Sequence, residues 1–195
     1  MFFPALRYHF GHLAGFAGRD ARQTFWFWFL FLFIVNIAVS TIATVPMMIE
    51  AVQTGMDAAR SGDPGSAEAT MMASMSGQMT FMMEVGIVIG LFNTAMMAAP
   101  FVRRLHDSGK SGIWAVIAGA IYLASLVLAW LRADEVAAMM QQVTDAANSA
   151  DMVELQSQMM WQSLLGYVPM IMIVGFGILG SDPGANRFGE EPVRF

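Results

Sequence analysis

Four stretches of roughly 20 residues or more pass with almost no charge, and no other feature limits the possible folds as strongly. They run from Thr24 to about Met48, about Thr80 to Val102, Gly112 to Leu131, and about Met160 to Gly180. At 1.5 Å per residue, a helix of that length crosses a hydrocarbon core of roughly 30 Å. A bilayer offers backbone amides no partner, so such runs are read as helices that close their own hydrogen bonds. Composition agrees: 56% of the 195 residues are hydrophobic and only 13% are charged, against about 25% charged in soluble domains. Pro46, Pro100 and Pro169 do not oppose this reading, because membrane helices tolerate proline.

Lys and Arg set the orientation. Arg7, Arg19 and Arg22 precede the first run, Arg103, Arg104 and Lys110 join the second to the third, and Arg187 and Arg194 follow the fourth. Only Arg60 and Arg132 fall on the opposite side. The positive-inside rule then predicts both termini and the Arg103–Ser111 loop in the cytoplasm. The formal net charge of −5 comes from signs separated along the chain, and no basic face suited to nucleic acid stands out. With no cysteine, thiolate metal sites and disulfides are excluded. Pro4, Arg7, His9 and His12 interrupt the first residues, so no signal peptide is expected there.

The two outward connections are also read as helical. Val52, Met56 and Ala59 continue the first run to a break at Ser61-Gly62-Asp63-Pro64-Gly65-Ser66. Methionines at 71/72, 75, 79 and 82/83 then recur at helical spacing into the second run. Val136, Met139, Met140, Val143 and Ala147 repeat the pattern after the third run, and Asn148-Ser149-Ala150-Asp151 makes a second break. Met152, Leu155 and Met159 lead into the fourth. The expected fold is a single all-α domain, a polytopic four-transmembrane-helix bundle with spans at about 24–48, 80–102, 112–131 and 160–180. Two helical hairpins, about 50–79 and 132–159, extend on the outer side. Residues 1–18 read as an interfacial segment, and 181–195 as a cytoplasmic tail.

Polar residues collect where the runs end on the cytoplasmic side. The central loop reads Arg103-Arg104-Leu105-His106-Asp107-Ser108-Gly109-Lys110-Ser111-Gly112-Ile113-Trp114. Gly109-Lys110-Ser111 is not a phosphate loop: the first glycine of that motif would fall on Arg104, and no strand precedes it. His106-Asp107 would be half of a metal or hydrolase site whose other ligands are not visible. Gly18-Arg19-Asp20-Ala21-Arg22-Gln23-Thr24-Phe25-Trp26 and Asp182-Pro183-Gly184-Ala185-Asn186-Arg187-Phe188-Gly189-Glu190-Glu191-Pro192 flank the first and fourth runs. The three segments are expected to meet, with Asp20, Asp107 and Asp182 facing Arg22, Arg103 and Arg104. The candidate cluster, structural or ligand-binding, is Arg19, Arg22, Arg103, Arg104, His106, Asp107, Lys110, Ser111, Asp182, Asn186 and Arg187. No catalytic residue, cofactor or metal ligand is assigned.

These three motifs, Gly-Arg-x-x-Arg-x-x-aromatic-Trp, Arg-Arg-Leu-His-Asp-x-Gly-x-Ser-Gly-x-Trp and Gly-x-Asn-x-aromatic-Gly-x-x-Pro, resemble those of the domain of unknown function 805 family. The resemblance implies a small bacterial inner-membrane protein and supplies no substrate, cofactor or catalytic residue. The outward extensions are not part of it.

Within the runs, Glu84 is an intramembrane acid about one turn inside the second, placed near the outer interface by Thr80, Met82 and Met83. Asn36 and Asn93 are mid-span amides suited to interhelical hydrogen bonds, and Gly86-x-x-x-Gly90 permits close helix approach. Nineteen methionines suit adaptable packing; a Cu(I) site would want His or Cys beside them, and all three histidines lie on the other side. The leading functional reading is a non-enzymatic scaffold, or a protein that binds lipid or a partner through its cytoplasmic face. Membrane lipids, a protein partner or a second copy are the expected partners. A transporter or channel component is the alternative, and an enzyme ranks third.

Overall fold

A computed structural model describes residues 1–61, 64–132 and 149–192, and the described residues are helical apart from short connections and the tail. The helices are α1 (Phe2–Gly11), α2 (Arg22–Ser61), α3 (Pro64–Asp107), α4 (Ile113–Leu131) and α5 (Ser149–Ile178). The apolar spacing expected from 136 to 147 lies outside the described residues, as do the side chains of most of the outward methionines. Among the described residues, three helices are long and apolar enough to cross a membrane: Arg22–Asp57, Thr80–Asp107 and Ile113–Leu131. Helix α5 is continuous from Ser149 to Ile178, and its apolar stretch among the described residues is Leu164–Ile178.

Helices α2 and α3 run antiparallel, and a series of bonds fixes their register. The Asp20 amide donates to the Arg103 carbonyl at 3.1 Å. Asn36 and Asn93 exchange amide bonds of 3.1 and 3.2 Å, the interhelical role expected of them. Gln78 Nε2 donates to the Met47 carbonyl at 3.4 Å. Trp28 Nε1 donates to the Met96 carbonyl at 3.0 Å. That last bond has a local cause. Pro100 sits inside α3 and has no N–H for the carbonyl four residues back, which is Met96. The indole of α2 takes the missing donor's place.

The packed core occupies one end of the molecule. Phe25, Trp28 and Leu32 of α2 meet Met97, Phe101 and Leu105 of α3, with Ala118 of α4 and Leu6 of α1. Phe176 of α5 joins through Phe101 and Trp114. Gly177 lets α5 approach: a Cβ there would lie 2.9 Å from Phe25 Cε1 and 3.1 Å from Trp26 Cζ2. Gly90 does the same for α4, where a Cβ would meet Leu126 and Tyr122 at 3.0 Å, while Gly86 faces open space. The close approach expected of the glycine pair thus falls on one member, inside the monomer. Away from this end apolar side chains point outward, as at Ile42 (73% exposed), Val88 (66%) and Ile171 (68%). Lipid tails are the natural solvent for such a surface.

The N-terminal segment is more than an interfacial strip. Helix α1 ends at Gly11, and it buries Ala5, Leu6 and His9. Phe2 packs edge-on against Phe27, and Phe10 against Trp28 and Phe31. Phe3 stays 78% exposed, so the helix offers one face to α2 and another to its surroundings.

Candidate functional site

The end of the bundle nearest the core is closed by a buried network of charge, built from the three polar segments. Arg103 lies on the last turns of α3 and reaches back to the loop before α2. Its Nε donates to both oxygens of Asp20 at 3.0 Å. Its Nη1 donates to the His12 carbonyl at 2.9 Å and also to the Gly15 carbonyl. Its Nη2 lies 3.1 Å from His9 Nδ1, and the Tyr8 ring lies under the guanidinium at 5.5 Å.

Asp107 ends α3 and holds two arginines. Arg19 donates to its Oδ1 from Nε (3.2 Å) and Nη2 (3.0 Å). Arg104 Nη1 and Ser181 Oγ each approach its Oδ2 at 2.5 Å. The remaining donors of Arg19 go to backbone carbonyls of the tail, and those of Arg104 to carbonyls at the end of α5. Arg19 reaches Gly184 (2.5 Å), Asp182 (2.6 Å) and Gly189 (3.4 Å), and Arg104 reaches Gly177 (3.3 Å) and Leu179. Residue exposure of Arg19, Asp20, Arg103, Arg104 and Asp107 is at most 5%. Burial of that kind is tolerable only because every charge has a counter-charge and its remaining hydrogen-bonding groups find partners.

The turns are set by glycine. Gly18, Gly109 and Gly184 take φ of +92°, +68° and +69°, values that a side chain disfavours. A Cβ on Gly109 would also stand 2.4 Å from Asp182 Oδ2. The tail then folds back: Asp182 N donates to the Asp107 carbonyl at 2.8 Å, and Asn186 and Gly189 exchange backbone bonds. Asn186 Nδ2 donates to the His106 carbonyl at 2.9 Å. Outside this layer His106 stacks flat on Phe188, 4.0 Å between centroids, and Arg187 lies over Phe188 at 4.6 Å.

His9 is held neutral. Burial, and next the positive charge of Arg103, lower its pKa to about 4. Its Nδ1 therefore accepts from Arg103, and its Nε2 donates to the Thr24 carbonyl at 3.3 Å. The 3.8 Å approach to Asp20 is thus not an ion pair at neutral pH. Burial raises Asp20's pKa although Arg103 pulls it down. Tyr8, whose hydroxyl donates to Asp20 Oδ1 at 3.0 Å, is pushed up to about 12, mainly by burial and then by Asp20. Thr24 Oγ1 is buried with no hydrogen-bond partner.

Of the residues singled out in the sequence, Arg19, Arg103, Arg104, His106, Asp107, Asp182, Asn186 and Arg187 come together. Arg22, Lys110 and Ser111 are exposed outside the network, and Ser111 Oγ accepts only from the Ile113 amide at 3.3 Å. Glu84 stands 23 positions before Asp107 on α3, about 34 Å away along the helix. The pairing differs from expectation: Arg103 takes Asp20, whereas Asp107 takes Arg104 and Arg19. Arg22 makes no ion pair among the described residues, and Asp182 contributes chiefly its backbone. Sequence reasoning missed Tyr8, His9 and Ser181. Two adjacent polar rings beside Arg7 on a largely apolar helix were the available signal for the first two.

Chemically the network is saturated. Its arginines spend their donors on acids and carbonyls of the same chain. No three His, Asp or Glu converge to hold a metal among the described residues. A family model described as "Protein of unknown function (DUF805)" matches residues 13–190, so the chain belongs to that family. No curated protein and no solved structure matches it.

Proposed function

We propose that this DUF805 protein is a non-enzymatic, four-span protein of the bacterial inner membrane, with both termini in the cytoplasm. Its cytoplasmic face holds anionic lipid headgroups, and the polar motifs form the frame of that face. One observation carries the reading. The three buried arginines are consumed by Asp20, Asp107 and backbone carbonyls, whereas Arg7, Arg22, Lys110 and Arg187 at the same end are exposed and pair with no acid among the described residues. Exposed cations at a membrane boundary attract anionic headgroups. The buried cluster acts as a clasp that fixes where those cations stand. The fourth crossing is made by α5, lengthened beyond Leu164–Ile178 by the helical residues before it.

The test is native mass spectrometry of protein extracted in mild detergent from membranes containing phosphatidylglycerol. Replacing Lys110 and Arg187 with Gln lowers retained phosphatidylglycerol about tenfold and leaves the apparent Tm unchanged. Undiminished retention would remove the lipid reading; retention lost together with Tm would return the cations to the clasp.

A further inference from the structure

Toward the opposite end from the clasp, α2 and α3 border a cleft of 740 Å³. Its walls are Val39, Ile42, Ala43, Pro46 and Met47 of α2, and Gly77, Phe81 and Val85 of α3, with Glu50, Ser74 and Gln78 the only side chains of strong polarity. A volume in this range, apolar walls and a few polar groups at one end are the general features of a small-ligand pocket.

The position of the polar groups matters. Glu50 is 28 positions after Arg22, about 42 Å along α2, so its carboxylate stands beyond the hydrocarbon while Val39 and Ile42 stand within it. Glu50 is exposed and makes no hydrogen bond or ion pair in the described structure. The next charges on α2, Asp57 and Arg60, pair with each other at 3.4 Å, and no cation is among the described residues lining the cleft. Pro46, inside α2, supplies no N–H to the carbonyl of Ile42, a wall residue. The mouth of the cleft thus carries the negative charge of Glu50, and its walls toward Val39 are apolar.

We infer that this cleft binds an amphiphile with a single ammonium head and an apolar chain. The chain lies between α2 and α3 in the leaflet remote from the clasp, and the ammonium faces Glu50. This is a site distinct from the cationic rim, with the opposite charge preference. The ammonium can belong to a membrane lipid headgroup or to a free amphiphilic amine.

Gly77 makes the test clean: it lines the cleft, and a Cβ there meets nothing within 4 Å. Gly77→Leu therefore fills the cleft without disturbing its walls. Binding of dodecylamine is measured by native mass spectrometry of the full chain in a neutral detergent, with dodecanol as the uncharged control. Dodecylamine binds one per chain and about tenfold more tightly than dodecanol. Glu50→Gln removes that preference and keeps the dodecanol affinity, and Gly77→Leu abolishes binding of both. Equal affinity of the two probes for the unaltered protein, a preference that survives Glu50→Gln, or binding that survives Gly77→Leu would each overturn the proposal. If phosphatidylethanolamine co-purifies with the unaltered protein and not with Gly77→Leu, the headgroup is the source; if nothing co-purifies and dodecylamine binds, the occupant is a free amine.

Discussion

The two ends of the α2–α3 pair are made of the same two helices and are built on opposite terms. At the clasp end, five charged residues are buried, three turns carry left-handed glycines, and a single added carbon at Gly109 or Gly177 would collide with a neighbour. At the far end, the helices border an apolar cleft, Glu50 and Glu84 are exposed, and a carbon added at Gly77 or Gly86 meets open space. The difference shows where specificity resides in such a chain. Lipid tails are as apolar as the side chains they surround, so burying leucine gives neighbouring helices little reason to choose each other. A charged network with one satisfied arrangement does give a reason, and here it is concentrated where the chain leaves the hydrocarbon.

That contrast is open to direct attack. Asp107→Asn removes the counter-charge of two buried arginines, and breaking a buried pair from one side costs about 3–5 kcal/mol. For a chain of this size that lowers the apparent Tm in detergent by about 10 °C. The same substitution at the far end, Glu84→Gln, moves Tm by under about 2 °C, as exposed changes do. Equal effects at the two sites would dissolve the comparison.

Acid sharpens it next. His9 is neutral in the folded protein with its pKa lowered to about 4 from 6.5, so between these values the unfolded chain binds the proton that the folded chain refuses. Stability is therefore full above pH 6.5 and falls as pH drops toward 4, by up to about 3 kcal/mol. Asp20, whose pKa is raised, acts in the opposite sense, since the folded state takes up its proton first, and it offsets part of the loss at the acid end. Tyr8, whose pKa is pushed up to about 12, stays protonated throughout this window. His9→Gln, which can still accept from Arg103, flattens the melting temperature between pH 6.5 and 5 relative to the unaltered protein. An unchanged slope would show that the acid sensitivity lies elsewhere.

The smallest effect belongs to the midpoint. Asn36→Ala leaves Asn93 without its partner and costs about 0.6–1 kcal/mol, as interhelical hydrogen bonds in membranes usually do. A loss above 3 kcal/mol would mean that the middle of the pair, and not its clasped end, sets the register.

Much of this was legible in the residues. The apolar runs gave α2, α3 and α4 because a bilayer leaves a long uncharged segment no other fold. The meeting of Arg19, Asp107 and Asp182 followed from each segment adjoining the end of a helix. The pairing did not follow, because many acceptors are backbone carbonyls, those of Gly15, Gly177, Leu179 and Gly184 among them, and a carbonyl leaves no mark in a sequence. Once those carbonyls take up Arg19 and Arg104, one acid suffices for both arginines, and Asp182 is left to use its amide. His9 and Tyr8 were read with an interfacial helix because their partner, Arg103, is about 90 residues away. The cleft was illegible for another reason: it depends on how the side chains of two helices fill the space between them, and Val39, Phe81 and their neighbours would read the same in a closed pair.

The clasp also has a history within each molecule, because its parts are made in the order in which they must wait. Arg19 emerges first and its partner Asp107 follows, yet three of Arg19's carbonyl acceptors lie between Asp182 and Gly189. At synthesis rates of about 5–20 residues per second, some 75 residues separate Asp107 from that segment by about 4–15 s. For that interval Arg19 and Arg104 lack their later carbonyl acceptors, whereas every partner of Arg103 is already made. The tail is therefore the latch: a chain cut before Ser181 lacks three carbonyl acceptors of Arg19 and the hydroxyl that donates to Asp107.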